Sequence, residues 1–149
     1  MRHSSALTGA LAALLIGCSC AAPPKRQLHG AAAPVGPYSA GIDCGDLVFL
    51  AGQIGKDPVT GALVDGGVEA ETHQAMKNLG ALLREAGLEF GDVVKSTVFL
   101  ADINDFKAMN QIYASYFPAG GIPPVRSTVQ VAAIPVGARV EIDFIATRR

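Results

Sequence analysis

From Val68 onward, apolar residues recur at 68, 72, 75, 76, 79, 82, 83 and 86, with Thr72 counted as borderline. That spacing follows one face of a helix, and Gly87 just beyond it supplies a stop. A second helix is predicted in "DINDFKAMNQIYASYFP". Asp and Asn provide caps, Phe106, Met109, Tyr113 and Tyr116 fall at helical spacing, and Pro118 ends the run. Elsewhere the pattern is that of strands. "PYSAGIDCGDLVFLAGQIG" gives two runs, about 37–43 and 47–54, hinged on Gly45-Asp46, and Val93 to Leu100 is a third. The loop "AGGIPP" leads to a closing hairpin with strands of about 127–133 and 139–147. The order ββαβαββ predicts an α+β fold, one sheet with two helices on one face and no internal repeat.

Two helices leave the other face of such a sheet bare. Yet Leu47, Phe49 and Ala51 alternate with Val48 and Leu50, so both faces of that strand are apolar. With no further helix to supply a second cover, homo-oligomerisation is expected. In the last two strands the period of two sets Val129 and Val131 against Thr128 and Gln130, with Arg126 on the side of Thr128. Val140, Ile142 and Phe144 likewise oppose Glu141 and Asp143. A four-residue turn at "IPVG" would place Gln130 across from Glu141 and gather Arg126, Thr128, Glu141 and Asp143 on one surface. A guanidinium fork binds a carboxylate bidentately, which suits a small carboxylic acid as ligand. An intramolecular Arg–Glu pair at a subunit boundary accounts for the same residues.

Charge and composition narrow the field. The chain has 149 residues, enough for one domain, and a formal net charge of -1 with no run of Lys or Arg. That excludes nucleic acid as the main partner, because phosphate binding needs a clustered basic surface. Mean hydropathy is +0.33, high for a soluble domain. Part of the excess lies in "MRHSSALTGALAALLIGCSC", where Arg2 precedes an apolar run too short to span a bilayer permanently. The run ends in Leu15-Ile16-Gly17-Cys18, which resembles a bacterial lipobox. Residues 1–17 are therefore expected to be a lipoprotein signal, Cys18 the lipidated residue, 18–33 a tether rich in Ala and Pro, and 34–149 the domain. Such a protein would face the periplasm, and Ser19 rather than Asp favours the outer membrane. A disordered cytosolic extension is the alternative. Cys20 and Cys44 could pair in that compartment, and His3, His29 and His73 are isolated, with no spacing that suggests a metal site.

"GPYSAG", "AGQIG", "GDVVKSTVFLADINDF", "MNQIYASYF" and "PPVRSTVQVAAIPVGARVEIDFIA" together resemble the RidA branch of the YjgF/Rid superfamily, in that family's order and from about Pro34 onward. The resemblance implies a chorismate-mutase-like fold assembled as a homotrimer, with clefts between subunits. It implies hydrolysis of reactive 2-enamino and 2-imino acids, such as 2-aminoacrylate, to 2-keto acids and ammonia, with no cofactor and no metal. Arg126 would clamp the substrate carboxylate and Glu141 would activate water. Tyr38 and Asn110 would line the cleft, Thr128 would contact substrate beside Arg126, and Gly52 and Gln53 would be structural. Ala51 replaces a common Ser and Thr128 a residue that is Cys in some members, which bears on substrate range. Arg126 with Glu141 favours the enzyme, but enamine-releasing enzymes are mostly cytosolic, so the predicted address leaves a second reading as the alternative. In it a tethered trimer binds small carboxylates or a protein partner without turnover.

Overall fold

A computed structural model describes residues 24–31 and 36–148. The predicted signal, the Cys18 lipidation site and Cys20 lie outside the described residues. The strands are β1 (Arg26–Leu28), β2 (Gly41–Asp43), β3 (Leu47–Ile54), β4 (Val93–Leu100), β5 (Val125–Gln130) and β6 (Val140–Thr147). Helix α1 (Gly67–Glu85) follows β3, and α2 (Phe106–Ala114) follows β4. All six strands form one mixed sheet in the order β1-β2-β3-β6-β4-β5. The α+β class and the two helices are as expected from the pattern. The helical stripe is too: Val68, Thr72, Ala75, Met76, Leu79, Leu82 and Leu83 are all buried in α1. The Gly87 stop is a left-handed cap, with Leu88 N–H reaching back to the Leu83 carbonyl and Gly87 N–H to that of Arg84.

Two features differ from the sequence reading. The sheet begins earlier, because Arg26–Leu28 pairs antiparallel with β2 and Leu28 is fully buried, inside the stretch read as tether. Residues 37–40, read as the start of a strand, form bends and irregular chain instead. The second difference matters more. β5 and β6 are not a hairpin, since β4 lies between them, parallel to β5 and antiparallel to β6. The helix between β4 and β5 is a crossover, and a crossover returns the chain parallel beside the strand it left. β6 then fills the gap between β3 and β4, and "IPVG" belongs to a longer connection rather than a hairpin turn.

The alternation within each strand holds, and the ladder fixes which faces agree. Arg126 aligns with Ser96 and, through it, with Phe144; Thr128 aligns with Val98 and Ile142. Ser96, Val98, Ile142 and Phe144 are all buried beneath the helices. Glu141 and Asp143 align with Phe99 and Thr97, on the opposite face. The expected gathering of Arg126, Thr128, Glu141 and Asp143 on one surface is therefore corrected: the sheet itself divides them. On that opposite face Leu47 and Phe49 are 42% and 43% exposed, and Val129 on β5 is 45% exposed. One sheet face is covered by helices and the other is apolar and bare.

The far end of the sheet is fastened by charge. The Arg148 guanidinium donates to both Asp43 carboxylate oxygens (2.8 and 2.9 Å) and to the carbonyls of Gly45 and Ala86. Arg26 adds a third bond to Asp43 at 2.8 Å. Arg148, and then the Gly45 N–H, hold the Asp43 carboxyl well below the usual carboxylate range against the opposing effect of burial. A depressed folded-state pKa contributes stability above the unfolded pKa, and that stability is lost as pH falls through the folded value. Asp43→Asn is expected to cost roughly 1.5–3 kcal/mol at neutral pH, the range for hydrogen bonds to a charged group. The gap between urea melts of wild type and variant should stay open down to about pH 4, the unfolded carboxylate range, and narrow progressively below it as pH falls toward the depressed folded value; a gap that does not narrow there would assign the loss to packing instead.

Candidate functional site

Arg126 is held in place by one face of α2. Phe106, Asn110 and Tyr113 stand at i, i+4 and i+7, so they project together toward β5. The guanidinium lies 4.6 Å from the centre of the Tyr113 ring and 5.7 Å from that of Phe106. One of its nitrogens donates to Asn110 Oδ1 at 2.7 Å. Stacked on aromatic faces and tied on one side, the fork keeps its remaining N–H groups for an anion. Thr128 follows on the same face of β5, and its Oγ1 is buried with no hydrogen-bond partner among the described residues. Of the sequence-predicted residues, Arg126, Asn110 and Thr128 are thus brought together. Asn110 acts first on Arg126, a role the sequence did not suggest. Phe106 and Tyr113 read only as a helical stripe, although an amide flanked by two aromatics at this spacing was a usable signal.

Glu141 and Tyr38 form a second group, around a cavity of about 380 Å³. Gly52 belongs to it for a specific reason. Any Cβ there would collide with the Glu141 carboxylate and stand 2.8 Å from its Cδ, so glycine is what leaves Glu141 room. Gly52 sits where β3 shifts register against β6, between Leu50 and Gln53, and the Gln53 amide braces the irregularity by donating to the carbonyls of Ala51 and Gly52. Gly52 and Gln53, both expected to be structural, both line the cavity with Glu141. Burial, and after it the negative charge of Asp143, push the Glu141 carboxyl above the ordinary glutamate range. A carboxyl poised nearer neutrality is suited to take up and return a proton.

These two groups cannot meet on one small molecule within a protomer. Arg126 and Glu141 are two strands apart, three residues apart in register, and on opposite faces. At about 4.8 Å per strand and 3.3 Å per residue, their backbones lie about 14 Å apart. Asp143→Asn removes the neighbouring negative charge that raises Glu141. In any pH profile of activity governed by Glu141, it should move the acid limb to lower pH; an unmoved limb would assign that limb to another group.

Comparison with known proteins places this arrangement. Residues 29–148 match the family model described as Endoribonuclease L-PSP. The chain is 50% identical over 118 residues to the 2-iminobutanoate/2-iminopropanoate deaminase of Mus musculus, covering 79% of this chain and 86% of that one. It is 46% identical over 136 residues to Reactive Intermediate Deaminase A, chloroplastic, of Arabidopsis thaliana, covering 91% and 72%. Among solved structures, the YjgF gene product of E. coli superposes with a TM-score of 0.77 at 40% identity, covering 83% of this chain and 97% of that one. E. coli TdcF with bound serine gives 0.78 at 38%, covering 83% and 99%. A sheet with two helices on one face, matched along nearly all its described length, makes the chain a member of the Endoribonuclease L-PSP family, the YjgF/Rid superfamily.

Proposed function

We propose that the protein hydrolyses reactive 2-imino and 2-enamino acids to 2-keto acids and ammonia, in a cleft shared between neighbouring subunits of a homotrimer. The observation that carries this reading is the division of the site. A prepared carboxylate clamp and a proton-accepting carboxylate lie on opposite faces of one sheet, and a second copy is needed to join them. The bare apolar face carrying Glu141 is the surface available for that contact. Relatives at 48–50% identity named 2-iminobutanoate/2-iminopropanoate deaminase support the reaction class. A relative whose structure holds serine supports a ligand with a carboxylate next to a nitrogen-bearing carbon.

The chemistry asks little of the protein. Arg126 of one subunit fixes the substrate carboxylate, which sets C2 of the imine near Glu141 of the next. Starting from the protonated imine, C=NH2+, Glu141 takes a proton from water as the water oxygen bonds to C2 and the C=N π pair moves onto nitrogen, giving a neutral tetrahedral amino alcohol. The carboxyl then hands that proton to the amino nitrogen, the C2–N bond breaks, and ammonia leaves as the C2=O bond forms from the hydroxyl, whose proton goes to solvent. An enamine enters the same path after protonation at C3. Holding both reactants in this geometry supplies much of the rate gain. Purified protein should speed ammonia release from imines made in situ by an amino-acid oxidase. A rate equal to that of buffer alone would reject the reading.

The N-terminal expectation is proposed in the same way: residues 1–17 direct export and Cys18 carries lipid. Wild type expressed in a bacterial host with radiolabelled palmitate should take up label and partition with membranes, and Cys18→Ala should do neither. Unlabelled wild type would leave the protein untethered.

A further inference from the structure

The cavity beside Glu141 is larger and drier than imine hydrolysis requires. At about 30 Å³ per water, 380 Å³ holds about a dozen waters, roughly twice the heavy-atom count of 2-iminopropanoate. Its apolar walls are Ala40 and Ile54 of the sheet side, Leu82 of α1, and Pro135 and Val136 of the β5–β6 connection, while His29, Tyr38 and Gln53 line it along with Glu141. Two further polar lining residues are engaged elsewhere. Asn78 donates its amide to the carbonyls of Ile54 and Lys56, and the Lys56 side chain runs toward the 57–63 turn, where a Cβ on Gly61 would lie 3.9 Å from its Cε.

Val136 is the unusual member of this wall. Its φ of 54° and ψ of 18° lie in the left-handed region, and it is the only non-glycine residue with positive φ among those described. A β-branched side chain is a steric outlier there, and glycine would adopt the same turn without strain. Core packing does not explain its presence, because Val136 is 71% exposed. Strain of this kind persists where surroundings impose it and gathers at ligand sites. What valine adds at this position, and glycine would not, is an apolar surface on the cavity rim.

We infer that Val136, with Ile54 and Leu82, forms a side-chain subsite that favours 2-imino acids with branched or aromatic apolar side chains over the alanine-derived one. The inference rests on the proposed reaction for its substrate name, but the subsite can be tested by binding alone. Once the carboxylate is clamped and C2 faces Glu141, the remaining substituent of C2 is the one the cavity can take. Calorimetric titration of the full-length protein with pyruvate, 4-methyl-2-oxopentanoate and phenylpyruvate should show affinity rising by about tenfold or more from the first to the larger two, since a single methylene in an apolar pocket is already worth about that much. Val136→Gly should shrink that gradient severalfold while raising Tm. A flat series in wild type overturns the subsite, as does a gradient untouched by Val136→Gly. A lower Tm in the variant overturns it too, since Val136 would then be held by packing. A gradient in binding without any imine turnover would sink the deaminase reading and leave the subsite standing.

Discussion

Alanine at Arg126 is expected to lower kcat/KM for 2-imino acids by about 30- to 1,000-fold, the equivalent of roughly 2–4 kcal/mol for a lost charge-assisted, bidentate contact. Lysine at the same place keeps the charge but not the planar fork, and the Tyr113 and Phe106 rings no longer have a flat partner to stack on. It should recover only part of the loss. Asn110→Ala frees the guanidinium on one side, so its smaller effect should fall on KM more than on kcat. Glu141→Gln retains size and hydrogen-bonding shape but cannot accept a proton; turnover should fall while 2-keto acid binding remains. Steady-state kinetics on one imine separate these patterns. Arg126→Ala with wild-type kcat/KM would remove the clamp from the mechanism and return Arg126 to a packing role on α2.

The parts of this fold that were legible in the sequence are those set by local period. α1 buries a stripe that repeats along its own length, and each strand alternates as its own residues dictate, so Val140, Ile142 and Phe144 could be separated from Glu141 and Asp143 without a structure. Strand order is different in kind. Nothing within 125–147 states that β4 will lie between β5 and β6, because that follows from the α2 crossover and from β6 pairing with β3. The error passed directly to the site: correct faces on wrongly paired strands put Arg126 and Glu141 together. β1 was missed because Arg26-Gln27-Leu28 offers one apolar residue in a Pro- and Ala-rich context, and its place in the sheet comes only from pairing with β2. Gly52 read only as a structural residue of "AGQIG", since its need to be glycine arises from Glu141, which lies far along the chain.

The same misreading, once corrected, yields the most direct test of the shared cleft. If Arg126 and Glu141 serve one substrate from different subunits, Arg126→Ala and Glu141→Gln chains each lack one half and are each nearly inactive. Mixed in equal amounts, unfolded and reassembled, they form rings in which some clefts take Arg126 from a Glu141→Gln chain and Glu141 from an Arg126→Ala chain. In a closed cyclic assembly with random placement, that holds for about a quarter of clefts, so activity should return to about a quarter of wild type. Within a single protomer no such recovery can occur, because every chain in the mixture carries a defect. Reassembly must be verified by light scattering, which should report a trimer for wild type, for both variants and for the mixture. A trimeric mixture as inactive as its components would place Arg126 and Glu141 in separate functions. The sheet would then divide two sites rather than two halves of one.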